Sequence, residues 1–174
     1  MRRTLDLIYA ASGGLAALCI LAICCLVSAQ VGLNILARLG GPQMSWTIPS
    51  YADFAGFLLA GASFLGIPYA FRHGTHIRVN LVISRLPAGP AWILEVLALA
   101  IASALLAYAA WYAFALTAES LHYGDMSTGM IAVPLWIPQT VMTAGLVVTT
   151  LGALDRLVES ALARRPILVD EGSE

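Results

Sequence analysis

Four long runs of apolar residues, separated by short polar connections, organise this chain. The runs cover about residues 7–36, 51–71, 91–116 and 131–154. Each exceeds the ~20 residues that a helix needs to cross the hydrocarbon core of a bilayer. Inside that core every backbone N–H and C=O must be satisfied by the chain itself, which only helices or closed β-barrels achieve. The alternation of polar and apolar residues that marks a barrel strand is absent. The pattern therefore predicts an all-α integral membrane protein with four transmembrane helices in a single membrane domain, residues 1–174.

The connections add detail. The first, 38–50, holds Pro42, Trp46 and Pro49, and tryptophan favours the headgroup level, which places Trp46 at the outer interface. Ser50 followed by Asp53 matches a capping box at the start of the second helix. A carboxylate in that first turn is favourable on helix-dipole grounds, so Asp53 fits capping as well as contact with a partner. In the connection 72–90, Val79, Val82, Ile83 and Leu86 gather on one helical arc, while His76, Arg78, Asn80, Ser84 and Arg85 lie mostly outside it. This predicts a short amphipathic helix over about 76–86, lying in the membrane interface and ended by Pro87 and Pro90. The third connection, 117–130, carries Glu119, His122 and Asp125 but no arginine, and Pro134 and Pro138 are expected in the early turns of the fourth helix.

Charge supplies an orientation. The chain is 60% hydrophobic and 11% charged, where a soluble domain carries about 25%. Its nine cationic side chains are all arginine. Arg2 and Arg3 precede the first run; Arg72, Arg78 and Arg85 separate the second and third; Arg156, Arg164 and Arg165 follow the fourth. Only Arg38 lies in either of the other connections. Positive charge flanking short apolar spans is retained in the cytoplasm. Both termini and the connection 72–90 are thus expected to be cytoplasmic (N-in/C-in). Arg2 and Arg3 before an apolar run resemble a signal peptide, but Asp6 interrupts it and the run outlasts a typical signal core, so a retained span is expected.

Candidate chemistry is sparse. Cys19, Cys24 and Cys25 all lie in the first run without a Cys-x-x-Cys spacing, and read as small apolar side chains facing lipid or a neighbouring helix. His73 and His76 could share a metal, yet no third ligand of suitable type lies nearby. Haem ligation would need facing histidines at one depth, whereas His122 stands ~30 Å away across the membrane. Asp53 and Glu95 sit near the ends of their runs, and no run has an acid at its middle, where a coupled transporter acting alone needs polar coordination. No nucleotide, P-loop or metal motif occurs, so neither enzyme activity, a cofactor nor a nucleic-acid partner is expected. Gln30 and Asn34 share a helix face. Small residues recur at packing spacing in Gly56/Ala60, Ala62/Gly66 and Gly145/Thr149. The sum points to a scaffold. The alternatives are an autonomous homodimeric transporter, which lacks its mid-membrane acid, and the membrane anchor of a redox enzyme.

Residues 63–90 carry a resemblance. Ser63-Phe64-Leu65-Gly66-Ile67-Pro68-Tyr69-Ala70-Phe71-Arg72-His73-Gly74-Thr75-His76-Ile77-Arg78-Val79-Asn80, closed by Leu86-Pro87, resembles the small membrane subunit (DctQ family) of tripartite ATP-independent periplasmic (TRAP) transporters. The family shows a Leu-Gly, an aromatic or basic turn, a Gly, then His-Ile-Arg-Val-Asp before a Leu-Pro. Asn80 stands where that pattern has an acid. Trp46 followed by Asp53 looks like the start of the family's second helix, and Pro134-Leu135-Trp136-Ile137-Pro138 like that of its fourth.

The resemblance implies a bacterial inner-membrane subunit beside a large permease that holds the substrate and sodium sites. A periplasmic binding protein would deliver an organic acid to the pair, and the small subunit would be the static brace. Its implied contact residues are Trp46 and Asp53 near the partners, with Arg72, His73, His76, Arg78, Asn80 and Arg85 at the inner interface. Arg72, Arg78 and Arg85 would meet anionic phospholipid, gaining about 1 kcal/mol each.

Overall fold

The computed structural model describes residues 2–41, 45–73 and 87–163. The amphipathic helix expected over 76–86 lies outside these, as do His76, Arg78, Asn80 and Arg85. Four helices form: α1 (Arg2–Gly40), α2 (Tyr51–Arg72), α3 (Ala88–Tyr123) and α4 (Trp136–Ala163). All four are long and apolar enough to cross a membrane. Among the described residues the one β feature is an isolated bridge between Met126 and Pro134.

Their lengths differ. The 39 residues of α1 and 36 of α3 span roughly 58 and 54 Å at 1.5 Å per residue. The 22 residues of α2 span roughly 33 Å, close to the hydrocarbon thickness.

The helices stand in a row. Helix α1 packs on α2, α2 on α4, and α4 on α3, while α1 barely meets α4. The spatial order α1–α2–α4–α3 leaves two broad faces open, unlike a closed four-helix bundle. Pairings fix the directions. Asp6 pairs with Arg72, Ser12 Oγ donates to the Leu65 carbonyl at 2.6 Å and Cys19 lies against Gly61, so α1 and α2 are antiparallel. Phe64 meets Gly145, and Arg72 meets Arg156, so α2 and α4 run parallel. Trp92 reaches Ser160 and Thr117 reaches Thr143, so α3 and α4 are antiparallel. The start of α1, the end of α2, the start of α3 and the end of α4 therefore share one end of the row, the arginine-rich one.

The row is packed with small side chains. Ala153 and Ser160 are fully buried and Thr149 nearly so, while Leu18, Leu21, Leu105 and Trp111 point outward. In lipid no hydrophobic force drives leucines inward, so contacts form where backbones approach closely. Gly145 lies against the Phe64 backbone, Gly66 against Ala16, and Gly61 between Val141 and Cys19. Gly56 departs from its expected packing role: it is exposed, with open space where a Cβ would stand. Buried threonines satisfy themselves within their own helix, as Thr149 Oγ1 donates to the Gly145 carbonyl at 2.8 Å and Thr150 Oγ1 to that of Leu146 at 2.8 Å.

Two expectations at helix starts are corrected. Ser50 takes a left-handed conformation (φ 56°) and makes no side-chain cap on α2. Its hydroxyl instead accepts the Ile131 amide at 2.8 Å. Pro134 precedes α4 rather than lying inside it, because residues 124–135 fold as a compact loop. There Ser127 N donates to the Val133 carbonyl at 2.8 Å and Leu135 N to that of Asp125 at 3.0 Å. Helix α4 begins only at Trp136, with Pro138 as its third residue, where a missing amide costs nothing.

Candidate functional site

Charge concentrates at the arginine-rich end. Arg72, the last residue of α2, pairs with Asp6 of α1 at 3.2 Å and more distantly with Asp155 of α4 at 3.9 Å. Its carbonyl accepts Arg156 Nη2 at 3.1 Å. Arg156 is only 6% exposed, and its Nη1 lies 3.6 Å from Glu159. A guanidinium buried this deeply is tolerable only with carboxylates and carbonyls around it, so these bonds are structural necessities. The Arg72–Asp6 pair is more open and contributes less.

The same end ties α3 to α4. Trp92 Nε1 donates to the Ser160 carbonyl at 2.9 Å. Ser160 Oγ donates to Glu95 Oε1 at 3.0 Å, and both residues are buried. A cleft of about 580 Å³ opens between α1, α2 and α4, lined by Asp6, Tyr9, Ala10, Tyr69, Arg72, His73, Arg156 and Glu159.

The opposite end is held by hydrogen bonds. Gln30 Nε2 donates to Asn34 Oδ1 at 3.1 Å, one turn on, and Gln30 Oε1 accepts the Ile48 amide at 2.9 Å. The shared face of Gln30 and Asn34 thus anchors the connection between α1 and α2. Ser50 and Asp53 press against Gly129 so closely that a Cβ there would collide with both. Asp53 therefore abuts the loop 124–135 of its own chain.

Of the residues expected to make functional contacts, Trp46 is exposed in the first connection and Asp53 is half-buried against Gly129. Arg72 is engaged with the carboxylates of Asp6 and Asp155. His73 ends α2 with its ring 4.1 Å from that of Tyr69 and Nδ1 donating to the Tyr69 carbonyl at 2.9 Å. Arg72 and His73 share the cleft, while Trp46 and Asp53 are at the far end. Sequence reasoning missed Asp6, Asp155, Arg156, Glu159 and the Glu95–Ser160 pair as one network. The available signal was that Asp6, Glu95, Asp155 and Glu159 all flank the runs on the arginine-rich side.

This arrangement binds helices together. Among the described residues, no three His, Cys, Asp or Glu side chains converge as a metal site would require. Along α3 the outward side chains are apolar and aromatic: Leu105, Tyr108, Trp111, Tyr112 and Phe114 are each more than half exposed. A shallow apolar hollow of about 360 Å³ lies beside them between α3 and α4, floored by Ala107, Ala110 and Thr150.

A family model described as "Tripartite ATP-independent periplasmic transporters, DctQ component" matches residues 23–163. The match takes in α2, α3 and α4 whole and the latter part of α1. No curated protein matches the chain.

Proposed function

The chain belongs to the DctQ family, the small membrane component of tripartite ATP-independent periplasmic transporters, and from that premise we propose that it is a non-enzymatic scaffold subunit. In this reading it braces a large permease during sodium-driven uptake of an organic acid that a periplasmic binding protein delivers. The observation that carries the reading is how its polar groups are used. Arg72, Arg156, Glu95, Ser160 and Gln30 are engaged in ties between helices or to a connection. A transport site instead needs polar groups and helix breaks near the membrane midplane. The row α1–α2–α4–α3 adds a second support, since two broad apolar faces suit lateral packing on a larger membrane protein.

The proposal includes an orientation. Both termini and the connection 72–90 face the cytoplasm of a bacterial inner membrane, and Trp46, Asp53 and the loop 124–135 face the periplasm beside the partners. His76 and Asn80 then lie at the inner interface, where Arg78 and Arg85 meet anionic phospholipid.

Reconstitution tests this. Proteoliposomes containing the chain with its permease, supplied with binding protein and a sodium gradient, should accumulate the acid. Omitting any one component should abolish uptake. Accumulation by the chain alone would overturn the proposal. A reporter fused after Ala163 should be active only in its cytoplasmic form.

A further inference from the structure

Tryptophan and tyrosine in membrane proteins collect at the two interfaces, where the ring meets lipid and the polar tip meets water. Helix α3 departs from this. Tyr108 lies 13 residues after Glu95 and 11 before Glu119, the two acids of the helix, which is roughly 20 and 17 Å along the axis. Trp111 lies roughly 12 Å inside the level of Glu119 on the same measure. It borders the hollow whose other wall is Val147, Thr150 and Leu151, at the middle of α4. Tyr108, Trp111 and Tyr112 nevertheless point out of the row, at 63%, 69% and 56% exposure.

Their polar tips need acceptors. The rings of Tyr108 and Tyr112 lie 4.6 Å apart and the two side chains share a hydrogen bond, which uses one hydroxyl hydrogen and leaves the other. Trp92 Nε1 has the Ser160 carbonyl, but among the described residues Trp111 Nε1 has no such acceptor. Acyl chains carry none at this depth, and a donor left bare in hydrocarbon is costly. The middle of the opposite edge of the row is different: α1 turns Leu15, Leu18 and Leu21 outward, and lipid satisfies these fully. The surface beside Trp111 is also shaped to receive a helix. Ala107, Ala110 and Thr150 floor the hollow, and Trp111 and Phe114 wall it. Small residues in such a place let a neighbouring backbone come close, and acceptors at mid-membrane depth belong to protein, as polar side chains or as carbonyls freed where a helix breaks.

We infer that this face of α3, from the hollow across Trp111 to Tyr108 and Tyr112, is where the permease packs. One transmembrane helix of the permease fills the hollow with an apolar side chain and accepts hydrogen bonds from Trp111 and the tyrosine pair, while the α1 edge faces lipid. The inference rests on the scaffold reading above and adds to it the face used and the chemistry of the contact.

Photocrosslinking in intact membranes that hold the assembled transporter tests this. Benzoylphenylalanine placed at Ala107, which is exposed on the floor of the hollow, should join the chain to the permease. Placed at Leu18 or Leu21, it should give no protein product. Trp111→Phe keeps a ring and loses the N–H, so it should lower the permease retained by the affinity-tagged chain about fivefold; Leu18→Phe should leave retention unchanged. Permease crosslinks from the α1 edge with none from Ala107 would overturn the inference and leave the scaffold reading standing. At Ala107, a product joining two copies of this chain, or one with lipid alone, would overturn it as well. Failure of the permease to co-purify with the unsubstituted chain would remove the scaffold reading itself, and this inference with it.

Discussion

Gly145 is where the row is most sensitive to shape. A Cβ at this position would lie 2.5 Å from the Phe64 carbonyl oxygen and 2.6 Å from its carbonyl carbon. Ordinary contact begins about 0.9 Å further out, so Gly145→Ala must push α2 and α4 apart by roughly that distance. The obstruction is helix backbone, which cannot swing aside as a side-chain tip can. Overpacking of this kind costs about 1–3 kcal/mol, and a rigid obstruction belongs at the upper end. Alanine offsets about 1 kcal/mol of it through helix propensity. The expected net loss is about 2 kcal/mol, or some thirtyfold in the folded-to-unfolded ratio. Reversible unfolding in mixed micelles, followed by circular dichroism, measures it. Gly56→Ala and Gly14→Ala are the controls, because neither has anything within 4 Å of its would-be Cβ. They should be neutral or slightly stabilising. If Gly145→Ala proves as stable as these controls, the close approach of α2 and α4 is wrong.

Other expectations follow from the two ends of the row. Arg156→Gln should cost about 3 kcal/mol, because it removes a buried charge from the Glu159 carboxylate, which stays behind. Arg72→Gln, whose pairs are partly exposed, should cost about 1 kcal/mol or less; the same unfolding assay gives both, and a reversed order would refute the assignment by burial. Ser50→Ala removes the acceptor of the Ile131 amide, so hydrogen exchange at residues 125–133 should speed up about fivefold for a loss near 1 kcal/mol. Gly129→Ala should speed exchange in the same loop by displacing it from Asp53 and Ser50, while exchange in α3 stays unchanged.

Number, order and type of the helices were legible because a lipid-crossing helix needs little beyond a long apolar run. Their ends were less so. The run ending near Leu116 continues as helix to Tyr123, since Glu119, Ser120 and His122 interrupt hydropathy without breaking the backbone; Gly124, at φ 68°, ends it. The Ser50–Asp53 spacing matched a cap, but spacing cannot show that Ser50 would find the Ile131 amide 81 residues away. The row itself was hidden, because outward leucines and inward alanines look alike in a sequence apolar on every side. Gly145 and Gly56 have the same small-residue spacing, and only the neighbour across the interface separates them. The ion pairs of Arg72 were not legible, because the acids that make them lie 66 and 83 positions away in the chain.

The row uses a different contact at each depth, and the solvent explains the order. Bare charges near the bilayer centre are expensive, so the Arg72 and Arg156 ties lie at one end of the helices. Halfway along, water is absent and hydrophobic sorting lapses, leaving close backbone approach as the remaining source of cohesion. Gly145 against Phe64 and Gly61 against Cys19 and Val141 provide it. At the far end, side chains such as Gln30 and Ser50 hold backbone amides of the connections, which carry orphan donors that a helix would have satisfied internally. A subunit built this way keeps its shape without an enclosed polar core. Salt should therefore act on the arginine end, while substitutions that add volume should act on the middle. That separation suits the proposed bracing role: the surfaces open to a partner are not the ones that hold the four helices together.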